Sequence, residues 1–133
     1  MEINLDYKNK SILIHQNKYL QNLKTRFNKG KLTPVFTPID LGVQLNKEEI
    51  IANKEDLKLY QQQIGSLIYL STKTRPDITY AVNRCARFMS NPGPEHFKAL
   101  DRIWKYLNNY PDLGTYYDCN KNILEILGYT NID

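Results

Sequence analysis

Apolar residues recur at helical spacing in three stretches between residues 53 and 110, each fenced by a proline, a glycine or a capping residue. This pattern constrains the fold most, because a stripe repeating every three or four residues must bury one face of a helix. Asn53 can cap the first helix with Asp56 three positions on, and Leu57, Tyr60, Ile64, Leu67 and Ile68 form a stripe running to Thr72. Pro76 suits the first turn of a second helix, where a missing backbone donor has no partner to lose; Ile78, Val82, Cys85 and Met89 line one side. Arg84 and Arg87 fall on the exposed side. Pro92, Gly93 and Pro94 break the chain before a third helix, with Phe97, Leu100, Ile103, Trp104 and Leu107 inward and Glu95 near its positive end. Pro111 and Gly114 stop it.

The flanks have other periods. Ile3, Leu5 and Tyr7 alternate with polar residues, and the apolar run Ile12 to Ile14 follows the turn-like Lys8 to Ser11, which predicts a hairpin. From Gln16 the spacing of Tyr19, Leu20, Leu23 and Phe27 predicts an amphipathic helix, with Gly30 as its stop. Residues 31–53 carry Pro34, Pro38 and Gly42 without a steady period. They read as a long extended connector whose Val35, Phe36, Ile39, Leu41, Val43 and Leu45 pack across a surface. Thr115 to Tyr117 and Ile123 to Tyr129, separated by turn-prone residues 118–122, read as a second hairpin. The expected class is α+β, divided as 1–53 (hairpin, helix, connector), 54–110 (three helices) and 111–133 (second hairpin).

At 133 residues, 41% hydrophobic and 24% charged, the composition is that of one soluble globular domain. It is too short for a complete polymerase, which needs several domains. The longest apolar runs, such as Leu67 to Leu70, fall far short of a membrane span, and residues 1–7 do not resemble a signal peptide. Cys85 and Cys119 are too widely spaced, and His15 and His96 too few, for a zinc pattern, which fits a reduced intracellular setting, cytoplasm or nucleus. Cys85, among Val82, Ala86 and Met89, reads as a small buried hydrophobe. No phosphate loop, paired metal carboxylates or nucleophile elbow is present.

The formal charge of +4 is unevenly spread. Lys and Arg outnumber acids seven to two over residues 1–33 and four to one over 63–91, while acids lead five to three over 34–62 and six to four over 92–133. The first basic block interleaves Lys18, Lys24 and Arg26 with Tyr19 and Phe27, compatible either with phosphate contacts or with a solvated helix face. In Lys73-Thr74-Arg75-Pro76-Asp77 a basic loop leads into a helix amino end, which binds phosphate well; equally, Arg75 and Asp77 can pair with each other.

Three ordered motifs carry a resemblance. Tyr60-Gln61-Gln62-Gln63-Ile64-Gly65-Ser66-Leu67-Ile68-Tyr69-Leu70, then Thr74-Arg75-Pro76-Asp77-Ile78, then Arg87-Phe88-Met89-Ser90-Asn91-Pro92 look like the segment downstream of the polymerase active site in copia-type LTR retrotransposon polyproteins. His96 to Leu107 resembles that family's "H-W-K-A-x-K-R-x-L-R-Y-L" helix, and Pro111-Asp112-Leu113-Gly114 its usual exit. Gln16 to Phe27 with Thr37-Pro38 resembles its thumb-side region, so essentially the whole chain is covered. Leu127 to Asp133 resembles the first ribonuclease H strand, "G-Y-S-D-A-D-W", with Asn131 where the first metal-binding Asp is expected and Asp133 matching the second.

The resemblance implies a fragment of the thumb and connection of a reverse transcriptase, running into ribonuclease H. In that family magnesium is held by polymerase carboxylates that include a paired-Asp turn, and no Asp-Asp pair occurs here. The implied fragment therefore has no catalytic residues, no cofactor of its own and no polymerase or nuclease activity. Its implied partner is an RNA/DNA hybrid or other duplex, bound weakly through the backbone by Lys73, Arg75, Arg84 and Arg87, with Lys18, Lys24 and Arg26 as a second group. The alternative is a decayed or domesticated interaction module that packs against another protein chain and binds no nucleic acid.

Overall fold

The first change of period, at Gln16, is where the backbone turns from sheet to helix. In the computed structural model, which describes residues 1–120, β1 (Glu2–Asp6) and β2 (Ser11–His15) pair antiparallel with Glu2 opposite His15 and Asp6 opposite Ser11. The turn between them is held by the Asp6 carboxylate, which accepts from the Lys8 and Asn9 amides at 3.1 and 3.0 Å, and is closed by Lys10 at φ +49°. Helix α1 (Asn17–Arg26) buries Leu20 and Leu23. It ends before Gly30: Asn28 takes a left-handed φ of +54°, and the Lys29 amide reaches back to the Lys24 carbonyl.

Helix α2 (Lys54–Lys73) starts as its sequence requires, with Asn53 Oδ1 accepting from the Asp56 amide at 2.7 Å. The second expected helix is divided. Pro76–Ile78 forms one 3-10 turn and α3 spans Thr79–Ala86, so Met89 lies beyond the helix end in a turn, where it still packs against the core. Helix α4 (Pro94–Asn109) buries Leu100, Ile103, Trp104 and Leu107 completely. Tyr60, Ile64 and Leu67 of α2, and Ile78, Val82 and Cys85 of the 3-10 turn and α3, meet them in one core that also takes Leu20 and Leu23. Two polar contacts fix the helices' relative rotation. Trp104 Nε1 donates to Gln63 Oε1 at 2.9 Å and Tyr60 Oη donates to the Cys85 carbonyl at 2.8 Å, so the buried indole and phenol donors are both satisfied.

The first strand of the expected C-terminal hairpin is present. Strand β3 (Thr115–Asp118) pairs antiparallel with β2, with Ile12 opposite Tyr117, giving a three-stranded sheet in the order β1-β2-β3. Gly114 lets it approach: a Cβ there would collide with the Ile14 carbonyl oxygen. The other half of the expected hairpin, Ile123 to Tyr129, lies outside the described residues, as do Asn131 and Asp133. The class is α+β, as expected, and no helix among the described residues is long and apolar enough to cross a membrane.

The connector crosses the helices as expected, but only on one side. Val35, Ile39 and Leu45 pack against the core, whereas Phe36 and Leu41 are 80% and 103% exposed.

Candidate nucleic-acid interface

The Thr74-Arg75-Pro76-Asp77 motif turns inward. Arg75 is 2% exposed; its Nε and Nη2 grip the Asp77 carboxylate at 3.0 and 2.8 Å, and its Nη1 donates to the Tyr110 carbonyl at 2.7 Å. Tyr106 Oη donates to Asp77 Oδ2 at 2.8 Å, and the guanidinium carbon stands 5.9 Å from the centre of the Tyr106 ring. Burial by itself would raise the Asp77 carboxyl, but Arg75's hydrogen bonds and charge, with the Tyr106 hydroxyl, outweigh it and hold the group below the usual carboxylate range. Burial, then the bond to Asp77, pushes Tyr106 up to about 12. This network ties the α2–α3 junction to the end of α4. Of the two readings open in the sequence, internal pairing is the one the structure adopts, and Arg75 is no surface phosphate contact in this conformation.

Lys24 is a second correction. It is 7% exposed, its stem packed at the inner side of α1, and burial followed by the nearby Arg75 charge lowers its pKa against the opposing influence of Asp112. The apolar spacing around it could not separate a buried stem from a solvated one.

The remaining five cations are on or near the surface, in two settings. Lys18 is 88% exposed in its side chain and 3.9 Å from Glu2, whose carboxyl is lowered chiefly by the Lys18 amide that it accepts at 3.1 Å. Arg26 lies 5.2 Å from the Phe27 ring centre and Lys73 lies 5.9 Å from that of Tyr69. Tyr69 meets Tyr19 edge-on at 5.3 Å, so Lys73 stands over the seam between α1 and α2. Arg84 and Arg87 form the other setting. The Arg84 guanidinium is 5.9 Å from the Tyr80 ring centre and donates to the Val43 carbonyl at 3.0 Å, while Arg87 is exposed just past α3. Cation and aromatic ring face solvent together at Tyr69 and Tyr80, which are 46% and 63% exposed.

The polar members of the other motifs clasp the connector. Asn91 accepts from the Ala52 amide at 2.8 Å and donates to the Glu48 and Ile50 carbonyls, both at 3.1 Å. His96, fully buried, accepts from the Gly93 amide through Nδ1 at 2.8 Å; its Nε2 must then carry the proton and donate to the Asn46 carbonyl at 2.7 Å. Phe88 stacks on that imidazole with centroids 4.1 Å apart. Arg102 reaches Asp40 and Thr37 on the same connector. These residues link positions about 40 to 65 apart in the chain, so no local pattern marks their role. Among the described residues no group of three or more His, Cys, Asp or Glu is placed to hold a metal ion.

No family model matches the chain, and no solved structure matches it. Curated proteins do. The chain is 34% identical over 143 aligned residues to the retrovirus-related Pol polyprotein of transposon TNT 1-94 from Nicotiana tabacum, with all of this chain covered. It is 37% identical over 120 residues, 90% of its length, to the corresponding polyprotein of transposon RE1 from Arabidopsis thaliana, and 34% identical over 120 residues to that of RE2. The chain belongs to the retrovirus-related Pol polyproteins of transposons. It spans 10% of the length of the TNT 1-94 polyprotein and 8% of the RE1 and RE2 polyproteins. The copia-type resemblance read from the three motifs is consistent with these relatives, and the structure shows that the residues carrying it serve mainly to hold the helices and connector together.

Proposed function

We propose that this stretch of Pol polyprotein is the reverse-transcriptase thumb and connection leading into ribonuclease H, and that it holds an RNA/DNA hybrid through its backbone without itself polymerising. The observation that carries this reading is the division of labour among the cations. Arg75 and Lys24 are drawn into the interior, while Lys18, Arg26, Lys73 and Arg87 remain exposed, and Arg26 and Lys73 stand over aromatic rings. Exposed cations held by no more than a long ion pair or a neighbouring ring are what a phosphate backbone can use, and such contacts position a duplex without reading its sequence. The setting is inside the cell, in cytoplasm or nucleus, where such hybrids are made.

The test is fluorescence anisotropy with a labelled hybrid across a salt series. One phosphate contact from each of these four cations gives a slope of log K against log salt of about −3.6, or roughly 150-fold weaker binding from 50 to 200 mM. Absence of binding at low salt, or binding that ignores salt, overturns the reading. A second reading, packing against another protein chain, is favoured by Phe36, Leu41, Ile50 and Ile51, which are at least 80% exposed. A clean monomer at micromolar concentration, with no change when these side chains are replaced by Ser, removes that alternative's support.

A further inference from the structure

The connector is clasped on both sides of Lys47. His96 holds the carbonyl of Asn46 on one side of it, and Asn91 holds the carbonyl of Glu48 on the other, at 2.7 and 3.1 Å. Two buried or half-buried side chains from the helical body thus fix the backbone on both sides of one exposed lysine. Lys47 lines a hollow of about 180 Å³ together with Glu48, Arg87, Phe88, Ser90 and Asn91. Phe88, adjacent to Arg87, is itself held by stacking on His96. The same histidine and asparagine therefore anchor the backbone that carries both cations. Neither Lys47 nor Arg87 has an ion-pair or hydrogen-bond partner through its side chain among the described residues.

We infer that this hollow is a phosphate seat, in which the Lys47 ammonium, the Arg87 guanidinium and the Ser90 hydroxyl hold one backbone phosphate of the bound strand. The inference rests on the hybrid-binding reading and deepens it by naming where the backbone is gripped. The chemistry is that of a point charge and a planar fork converging on one anion, with a hydroxyl as a further donor. The hollow is too small for a nucleotide and suits a single phosphate group. Because the clasp on residues 46 and 48 is made within the folded chain, little backbone ordering remains for binding to supply. One carboxylate opposes the ligand. Glu48 lines the hollow too, its side chain packed against Gly93, so the seat keeps a net single positive charge. Sequence reading missed Lys47 because it stands in an acidic stretch, beside Glu48 and Glu49.

The experiment is hybrid titration of the whole chain and its Lys47→Ala, Arg87→Ala and Glu48→Gln variants at several salt concentrations, with Lys105→Ala as a control cation elsewhere. Loss of either seat cation is expected to weaken binding about tenfold at 100 mM salt and to lower the magnitude of the salt slope by about one. The double variant should lose less than the product of the single losses, because both cations act on one phosphate. Glu48→Gln should bind severalfold more tightly, which a variant that merely loosens the fold does not do. If the parent chain binds but Lys47→Ala and Arg87→Ala match Lys105→Ala, the seat is refuted while hybrid binding stands. If the parent does not bind at any salt concentration, both fail.

Discussion

Asp77→Asn tests the inward reading of the Thr74-Arg75-Pro76-Asp77 motif at a single atom. The substitution keeps shape but removes the charge facing a guanidinium that is 2% exposed, and it replaces one acceptor oxygen with a donor amide. Breaking a buried ion pair from one side costs about 3 to 5 kcal/mol. The Asp77 side chain is 28% exposed, so water recovers part of this, and about 2 to 4 kcal/mol is expected. For a chain of this size that corresponds to a fall in Tm of roughly 6 to 16 °C. The pH dependence gives an independent sign. Asp77 has a folded pKa below its unfolded value, so its contribution is present above the ordinary carboxylate pKa and is lost as pH falls through the lower folded value. Urea unfolding of both proteins from pH 7 down to pH 3 should therefore show a gap that is constant above about pH 5 and narrows below pH 4. A gap under about 0.5 kcal/mol at pH 7, or one that stays constant down to pH 3, refutes the account of this motif.

Two further outcomes follow from buried groups. Gln63→Leu leaves the Trp104 indole N–H without its acceptor in the core, and urea unfolding should show a loss of about 1 to 3 kcal/mol; no loss means that the indole finds another partner. Thiol labelling should give one fast equivalent, from exposed Cys119, and a second only in denaturant, because burial pushes the Cys85 thiol up to about 11 despite the Tyr60 hydrogen bond and the nearby Arg84. Fast labelling of both thiols in the folded chain contradicts the packing around Cys85.

What could be read from the sequence was local. The stripes of α2 and α4, the Asn53 cap and the first hairpin each depend on residues within a few positions of one another, where spacing directly reports shared faces. Met89 was misplaced because its spacing continues the α3 stripe, while its backbone has already turned. The pairing of β3 with β2 and the grip of Asn91 and His96 on the connector join distant residues, and a one-dimensional period carries no record of them. The candidate cations divided on the same principle. Exposure of Arg87 follows from its place outside a short stripe, but burial of Arg75 depends on Tyr110, 35 residues away.

The central claim is that cations left out of the structural network hold a hybrid by its backbone. It is tested most directly by titrating two RNA/DNA hybrids of unrelated sequence side by side over 50 to 200 mM salt. The account predicts equal affinities for the two and a common salt slope of about −3.6. A clear preference for one sequence, or affinity that does not change with salt, would contradict it.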